Sequence, residues 1–137
     1  AESTCLDCPA GTYGSSTGLT THACSGDCDS GHYCVAGSDE STEADCPAGK
    51  YSTGGASTST CLVCSGYTCG SCSAGTYSTA GSGTSSECTT CPSGKYETST
   101  GSSGCDVCPA GRYNADTGTT ASNFNALADC TQCGTGK

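Results

Sequence analysis

Sixteen of the 137 residues are cysteine, and most of them recur around one short motif. Aligned on cysteine, the chain reads CPAGTY from Cys8, CDSGHY from Cys28, CPAGKY from Cys46, CSAGTY from Cys72, CPSGKY from Cys91 and CPAGRY from Cys108. Six of the seven tyrosines (Tyr13, Tyr33, Tyr51, Tyr77, Tyr96 and Tyr113) fall in one slot, two residues after a Gly. A further cysteine ends most copies: Cys24, Cys61, Cys88, Cys105 and Cys130, after 15, 14, 15, 13 and 21 intervening residues. The unit is therefore C-P-x-G-x-Y, a Ser/Thr/Gly-rich segment, then C-x-x. Such periodicity defines one continuous array over residues 1–137. Its units are 8–27, 28–45, 46–71, 72–90, 91–107 and 108–132, between partial units 1–7 and 133–137.

Composition explains why the cysteines must carry the fold. Leu occurs four times, Val three times and Phe once, and Ile, Met and Trp are absent. Ser, Thr and Gly make up nearly half the chain. So little apolar surface cannot offset the conformational entropy of folding, and unaided the chain would be disordered. A disulfide closing about 15 residues removes roughly 3 kcal/mol of unfolded-state freedom in the chain-entropy model. Seven or eight such closures can replace a core. The predicted fold class is small and disulfide-rich: an elongated array of short β-hairpin or irregular repeats with little regular secondary structure. Cysteine at this density belongs to an oxidising compartment, so the expected location is extracellular or at the cell surface. No signal peptide, transmembrane run or lipidation motif is legible. The formal charge of −9, with four Lys and Arg, disfavours nucleic acid or direct membrane insertion.

Pro and Gly after the first cysteine predict a turn. Tyr then opens a short β-prone run, a Gly-containing bend reverses it, and the Ser/Thr run is expected to return to the closing cysteine. Each Tyr ring should pack on a disulfide and the neighbouring repeat. A unit of this kind is expected to touch only its neighbours, making the array quasi-one-dimensional. Unit two departs from the pattern, because Cys34 follows Tyr33 directly and nothing closes the unit before Cys46. Between units three and four, SGYTCGS inserts Cys69. Unit six is long and contains the lone Phe, Phe124, with Leu127; it offers a candidate lateral contact or a loop folded inward.

Six C-x-x-C pairs also match tetrahedral zinc spacing, and two of them, Cys88/Cys91 and Cys105/Cys108, are separated by 13 residues. The compartment argument favours disulfides over zinc, and no βαβ pattern surrounds a pair as a redox-active motif would require. The economical connectivity joins each first cysteine to its closing one: Cys8–Cys24, Cys46–Cys61, Cys72–Cys88, Cys91–Cys105 and Cys108–Cys130. Cys28–Cys34 and Cys64–Cys69 then form short loops, and Cys5 and Cys133 remain as open-end cysteines. Joined head to tail, the ends read CGTGKAESTCLDC, a plausible unit. The chain is thus expected to be cut from a longer array, or to meet copies of itself end to end.

Other chemistry is sparse. His22 and His32 have no Ser-His-Asp arrangement around them, and no catalytic residue is expected. Asp27, Asp29, Asp39, Glu40, Glu43 and Asp45 cluster; a solvated acidic face is the favoured reading, with weak Ca²⁺ binding as the alternative. No N-linked sequon exists. Hydroxyl-rich runs instead suggest O-linked glycans, at Ser57, Thr58, Ser59, Thr60, Thr98, Ser99, Thr100, Thr119 and Thr120.

The run C-x-x-C-P-x-G-x-Y…C-x-x-C resembles the cysteine-rich repeats of ephrin-receptor ectodomains and, more loosely, tumour-necrosis-factor-receptor modules. It also resembles tandem arrays of protist and algal surface proteins. The resemblance implies disulfide-laddered rods outside the cell and carries over no site residue. Two functions are expected. The first is a structural extracellular protein that forms or decorates a filament, stalk or appendage by head-to-tail or lateral association with copies of itself. The alternative is a ligand-binding segment of a receptor ectodomain.

Overall fold

The computed structural model describes residues 6–18, 23–64, 66–118 and 120–135; Cys5, His22 and Thr119 lie outside them. Each unit contributes one two-stranded antiparallel hairpin. β1 (Thr12–Tyr13) pairs with β2 (Gly26–Asp27), β3 (His32–Tyr33) with β4 (Ala44–Asp45), and β5 (Lys50–Ser52) with β6 (Cys69–Ser71). β7 (Thr76–Tyr77) pairs with β8 (Thr89–Thr90), β9 (Lys95–Tyr96) with β10 (Asp106–Val107), and β11 (Arg112–Tyr113) with β12 (Thr131–Gln132). Three short 3-10 turns, Ser85–Glu87, Ala121–Asn123 and Leu127–Asp129, are the only helical elements among the described residues.

The entry to each hairpin is a tight turn. The N–H of Thr12 bonds Pro9 O, and Lys50, Lys95 and Arg112 repeat the bond to Pro47, Pro92 and Pro109 at 3.0–3.1 Å. The third turn position needs positive φ, which Gly supplies at no steric cost; Gly49, for instance, sits at φ 81°. The returning strand corrects one expectation. It is not the Ser/Thr run but the short stretch that ends just before the next unit's first cysteine, as in Thr89–Thr90 between Cys88 and Cys91. The staple brings the closing cysteine back beside the first, so the chain leaves it already aligned against the Tyr strand. Two cysteines three apart on extended backbone project to opposite faces, which suits two separate staples rather than one metal.

Among the described residues, seven disulfides hold the array: Cys8–Cys24, Cys28–Cys34, Cys46–Cys61, Cys64–Cys69, Cys72–Cys88, Cys91–Cys105 and Cys108–Cys130. Their Cα atoms lie 5.5–6.0 Å apart. Sulfur replaces a hydrocarbon core: Cys34, Cys46, Cys61, Cys72, Cys91 and Cys130 are fully buried. Cys46, Ala56 and Cys61 form one cluster, with Tyr33 of the preceding unit packed against it. Phe124 is also fully buried, so the long loop of unit six turns this residue inward, whereas Leu127 stays exposed.

Units are joined by a backbone ladder in a constant register. The turn Gly of each unit donates to the residue after Tyr in the next: Gly11 to Cys34, Gly31 to Ser52, Gly49 to Ser78, Gly75 to Glu97 and Gly94 to Asn114, at 2.7–3.1 Å. The residue after Tyr then donates into the next unit's loop, from Gly14 to Ser38 through Glu97 to Phe124. A loop Gly donates backwards to the previous first cysteine, as in Gly37 to Cys8 and Gly101 to Cys72.

Contacts extend further than nearest neighbours, against the expectation for a quasi-one-dimensional array. A Cβ placed on Gly11 of unit one would stand 2.8 Å from Gly55 O of unit three. Gly31, Gly49 and Gly75 approach Gly81 O, Gly101 O and Ala121 O, each two units ahead, more closely still. Burial follows the same order: these four glycines are buried, Gly94 is half-buried and Gly111 is exposed. Only a residue without a side chain permits this stacking, because each loop carbonyl rests on a turn two units back.

Candidate functional site

Among the described residues, the last rung of the ladder reaches unit six. Gly111 N–H and the exposed Tyr113 occupy slots that at earlier junctions are covered by a following unit. Tyr113 is 48% exposed, while Tyr13, Tyr33, Tyr51, Tyr77 and Tyr96 are half-buried. Cys133 stands in the first-cysteine slot: its N–H bonds Gly111 O at 2.8 Å, as Cys28 bonds Gly11 and Cys108 bonds Gly94. It has no disulfide partner among the described residues.

Charge is unevenly spread along the chain. Residues 1–45 hold eight of the thirteen carboxylates and none of the four Lys and Arg. Lys50, Lys95 and Arg112 all stand in the slot before Tyr, shared with His32. Lys50 Nζ donates to Ser71 Oγ at 2.7 Å across its hairpin, and Arg112 Nη1 donates to Cys130 O at 3.0 Å. Lys95 lies directly opposite Val107. His32 Nδ1 is 3.1 Å from Asp45 Oδ1 but lacks hydrogen-bond geometry.

The seventh tyrosine lies outside the repeat slot, so the spacing of the repeat gives it no role. Tyr67 belongs to the insertion between Cys61 and Cys69, which also exposes Leu62 and Val63. Two staples hold this insertion, Cys46–Cys61 at its start and Cys64–Cys69 at its end. Tyr67 lies against Gly54, and its hydroxyl donates to Asp27 Oδ2 of unit one at 2.9 Å. That hydrogen bond and the carboxylate's charge both disfavour the phenolate, raising the Tyr67 pKa above its ordinary 10.0. With the folded value above the unfolded one, the interaction is fully present below pH ~10 and is lost as pH rises through the folded value. In an alkaline titration followed by tyrosinate absorbance, one phenol should therefore ionise late. Asp27→Asn should bring that phenol back toward the ordinary range; an unchanged curve would contradict the pairing.

All six clustered acids, Asp27 to Asp45, have exposed side chains. Asp29 accepts from Ser41 Oγ at 2.8 Å. Among the described residues, no three His, Cys, Asp or Glu side chains converge as metal ligands. Of the hydroxyls expected to carry sugar, Ser59, Thr60, Thr98, Ser99, Thr100 and Thr120 are exposed, and Ser57 and Thr58 are half-buried. Ser57 Oγ donates to Val63 O at 3.2 Å, and Thr58 Oγ1 lies 3.0 Å from Thr60 Oγ1.

Among the described residues, seven staples, six hairpins and one recurring turn define a small cysteine-rich repeat array. Residues 75–124, from the turn of unit four to the buried Phe of unit six, match the family described as tyrosine-protein kinase ephrin type A/B receptor-like. No curated protein matches the chain. No helix among the described residues is long and apolar enough to cross a membrane.

Proposed function

We propose that this chain is a structural extracellular repeat protein. In this reading it is a stiff, disulfide-laddered rod that associates with copies of itself, head to tail or laterally, to form or decorate a filament, stalk or surface appendage. The observation that carries the reading is the ladder, which repeats one set of donors and acceptors at five successive junctions. Stiffness follows because each unit is tied to the next by backbone hydrogen bonds and braced by a loop from the unit after that. The dense disulfides suit an oxidising space outside the cell. O-linked sugar on the exposed loop hydroxyls would keep so polar a rod soluble and shield its short strand edges. Nothing in this role needs catalysis, a metal or a cofactor.

The family match over residues 75–124 favours a second reading, a cysteine-rich segment of a receptor ectodomain. Light scattering across a concentration series separates the two. A structural rod should rise in mass above the 13.3 kDa of one chain as concentration increases. A mass constant at one chain throughout would remove self-assembly and leave the receptor reading.

A further inference from the structure

One staple stands apart from the repeat. Cys64–Cys69 closes the shortest disulfide loop among the described residues, at a sequence separation of 5, and ties the end of the insertion that carries Tyr67. Each of the other six staples holds at least one buried cysteine, whereas Cys64 and Cys69 are both half-buried. Each of the other six also holds a cysteine whose backbone joins two units. Cys8 O accepts from Gly37, Cys28 O from Gly55, Cys46 O from Gly81 and Cys72 O from Gly101, while Cys91 and Cys108 donate to Gly75 O and Gly94 O. Cys64 and Cys69 pair only within unit three, with Ala56 and Ser52. Opening this staple therefore breaks no rung of the ladder. What it frees is the tip of the insertion, whose one hydrogen bond to another unit among the described residues runs from the Tyr67 hydroxyl to Asp27 Oδ2, at 2.9 Å.

We infer that Cys64–Cys69 is a thiol-exchange site, the staple that a dithiol reductant opens while the array stays folded, and that its opening releases the insertion from unit one. Attack on a disulfide needs a path to one sulfur and a stabilised leaving thiolate. Ser52 Oγ lies 3.3 Å from Cys64 Sγ. Its proton, directed to Gly54 O at 3.0 Å, can turn to that sulfur as charge develops there. The reductant's thiolate therefore attacks Cys69 Sγ, the bond between the two cysteines breaks, and Cys64 leaves as the thiolate. The reductant's second thiol then attacks the reductant sulfur of the mixed disulfide and expels Cys69. Two electrons pass to the protein, the dithiol becomes a disulfide, and its two protons end on Cys64 and Cys69. The short loop keeps the two thiols near each other, so the staple closes again when a disulfide oxidant returns.

Stepwise reduction of the native chain tests this. Thiols free at the outset are first blocked with iodoacetamide. The chain then meets limiting dithiothreitol, and newly freed thiols are labelled with N-ethylmaleimide and mapped by mass spectrometry. Cys64 and Cys69 should label at least about tenfold faster than any other pair, because their bond opens without a unit unfolding. In the chain opened at this pair alone, the late-ionising phenol should return toward the ordinary range. Glutathione, a monothiol, should be trapped on Cys69. Three results would overturn the inference: another pair labelled as fast, Cys64 and Cys69 labelled only together with the rest, or a phenol that still ionises late. A glutathione adduct on Cys64 would overturn the part given to Ser52.

Discussion

Gly49→Ala should cost the protein about 3–5 kcal/mol of stability, and Gly111→Ala only about 1 kcal/mol. Both glycines sit at φ 81° in the same turn of the repeat, so the strain of placing a side chain in the left-handed region is common to both. What differs is the space. A Cβ on Gly111 meets nothing within 4 Å, whereas on Gly49 it drives into the Gly101 carbonyl of unit five. That carbonyl cannot simply withdraw, because Gly101 N–H is bonded to Cys72 O at 2.7 Å. Thermal unfolding with disulfides intact measures the difference. Equal losses at the two positions would mean that the second-neighbour contact contributes nothing.

The next largest effect should follow removal of the central staple. Cys46→Ser with Cys61→Ser opens a loop of sequence separation 15, worth about 3 kcal/mol in the chain-entropy model. Cys64→Ser with Cys69→Ser, separation 5, should cost nearer 2 kcal/mol by the same relation. The larger loss should also spread in one direction. The loop of unit three covers units one and two: Gly55 O rests on Gly11, Gly55 N–H bonds Cys28 O, and Tyr33 packs on the Cys46–Cys61 cluster. Limited proteolysis of the Cys46/Cys61 variant should therefore open units one to three and spare units five and six. Cleavage spread evenly along the chain, or confined to unit three, would contradict this coupling.

Much of the architecture is legible in spacing. The CPxGxY slots mark the turns, and the cysteines between them mark the staples, because disulfide geometry leaves little choice when each loop carries one obvious partner. The paired strands were not legible. Two residues such as Thr89–Thr90 or Gly26–Asp27 are too short to show any alternation, and their identity as strands depends on the staple that aligns them. The glycine slot was read for its turn, and its φ gave no hint that Gly31 or Gly75 also bears a loop from two units ahead. Phe124 and Leu127 could not be told apart by sequence, since only the fold decides which turns inward. The insertion's surface was hidden for another reason: Leu62, Val63 and Tyr67 look unremarkable in a chain where spacing draws attention to cysteines. Tyr67 outside the tyrosine slot was the one available signal.

The ladder is tested most directly by amide hydrogen exchange of the turn glycines in the native chain, dilute enough to be monomeric. Gly11, Gly31, Gly49, Gly75 and Gly94 each donate to the next unit, while Gly111 N–H has no such acceptor among the described residues. The first five should exchange at least about a hundredfold more slowly than Gly111, since a protected amide exchanges only when its junction opens. If Gly111 exchanges as slowly as the others, or if all six exchange at the rate of an unfolded chain, the register-locked array described here is wrong.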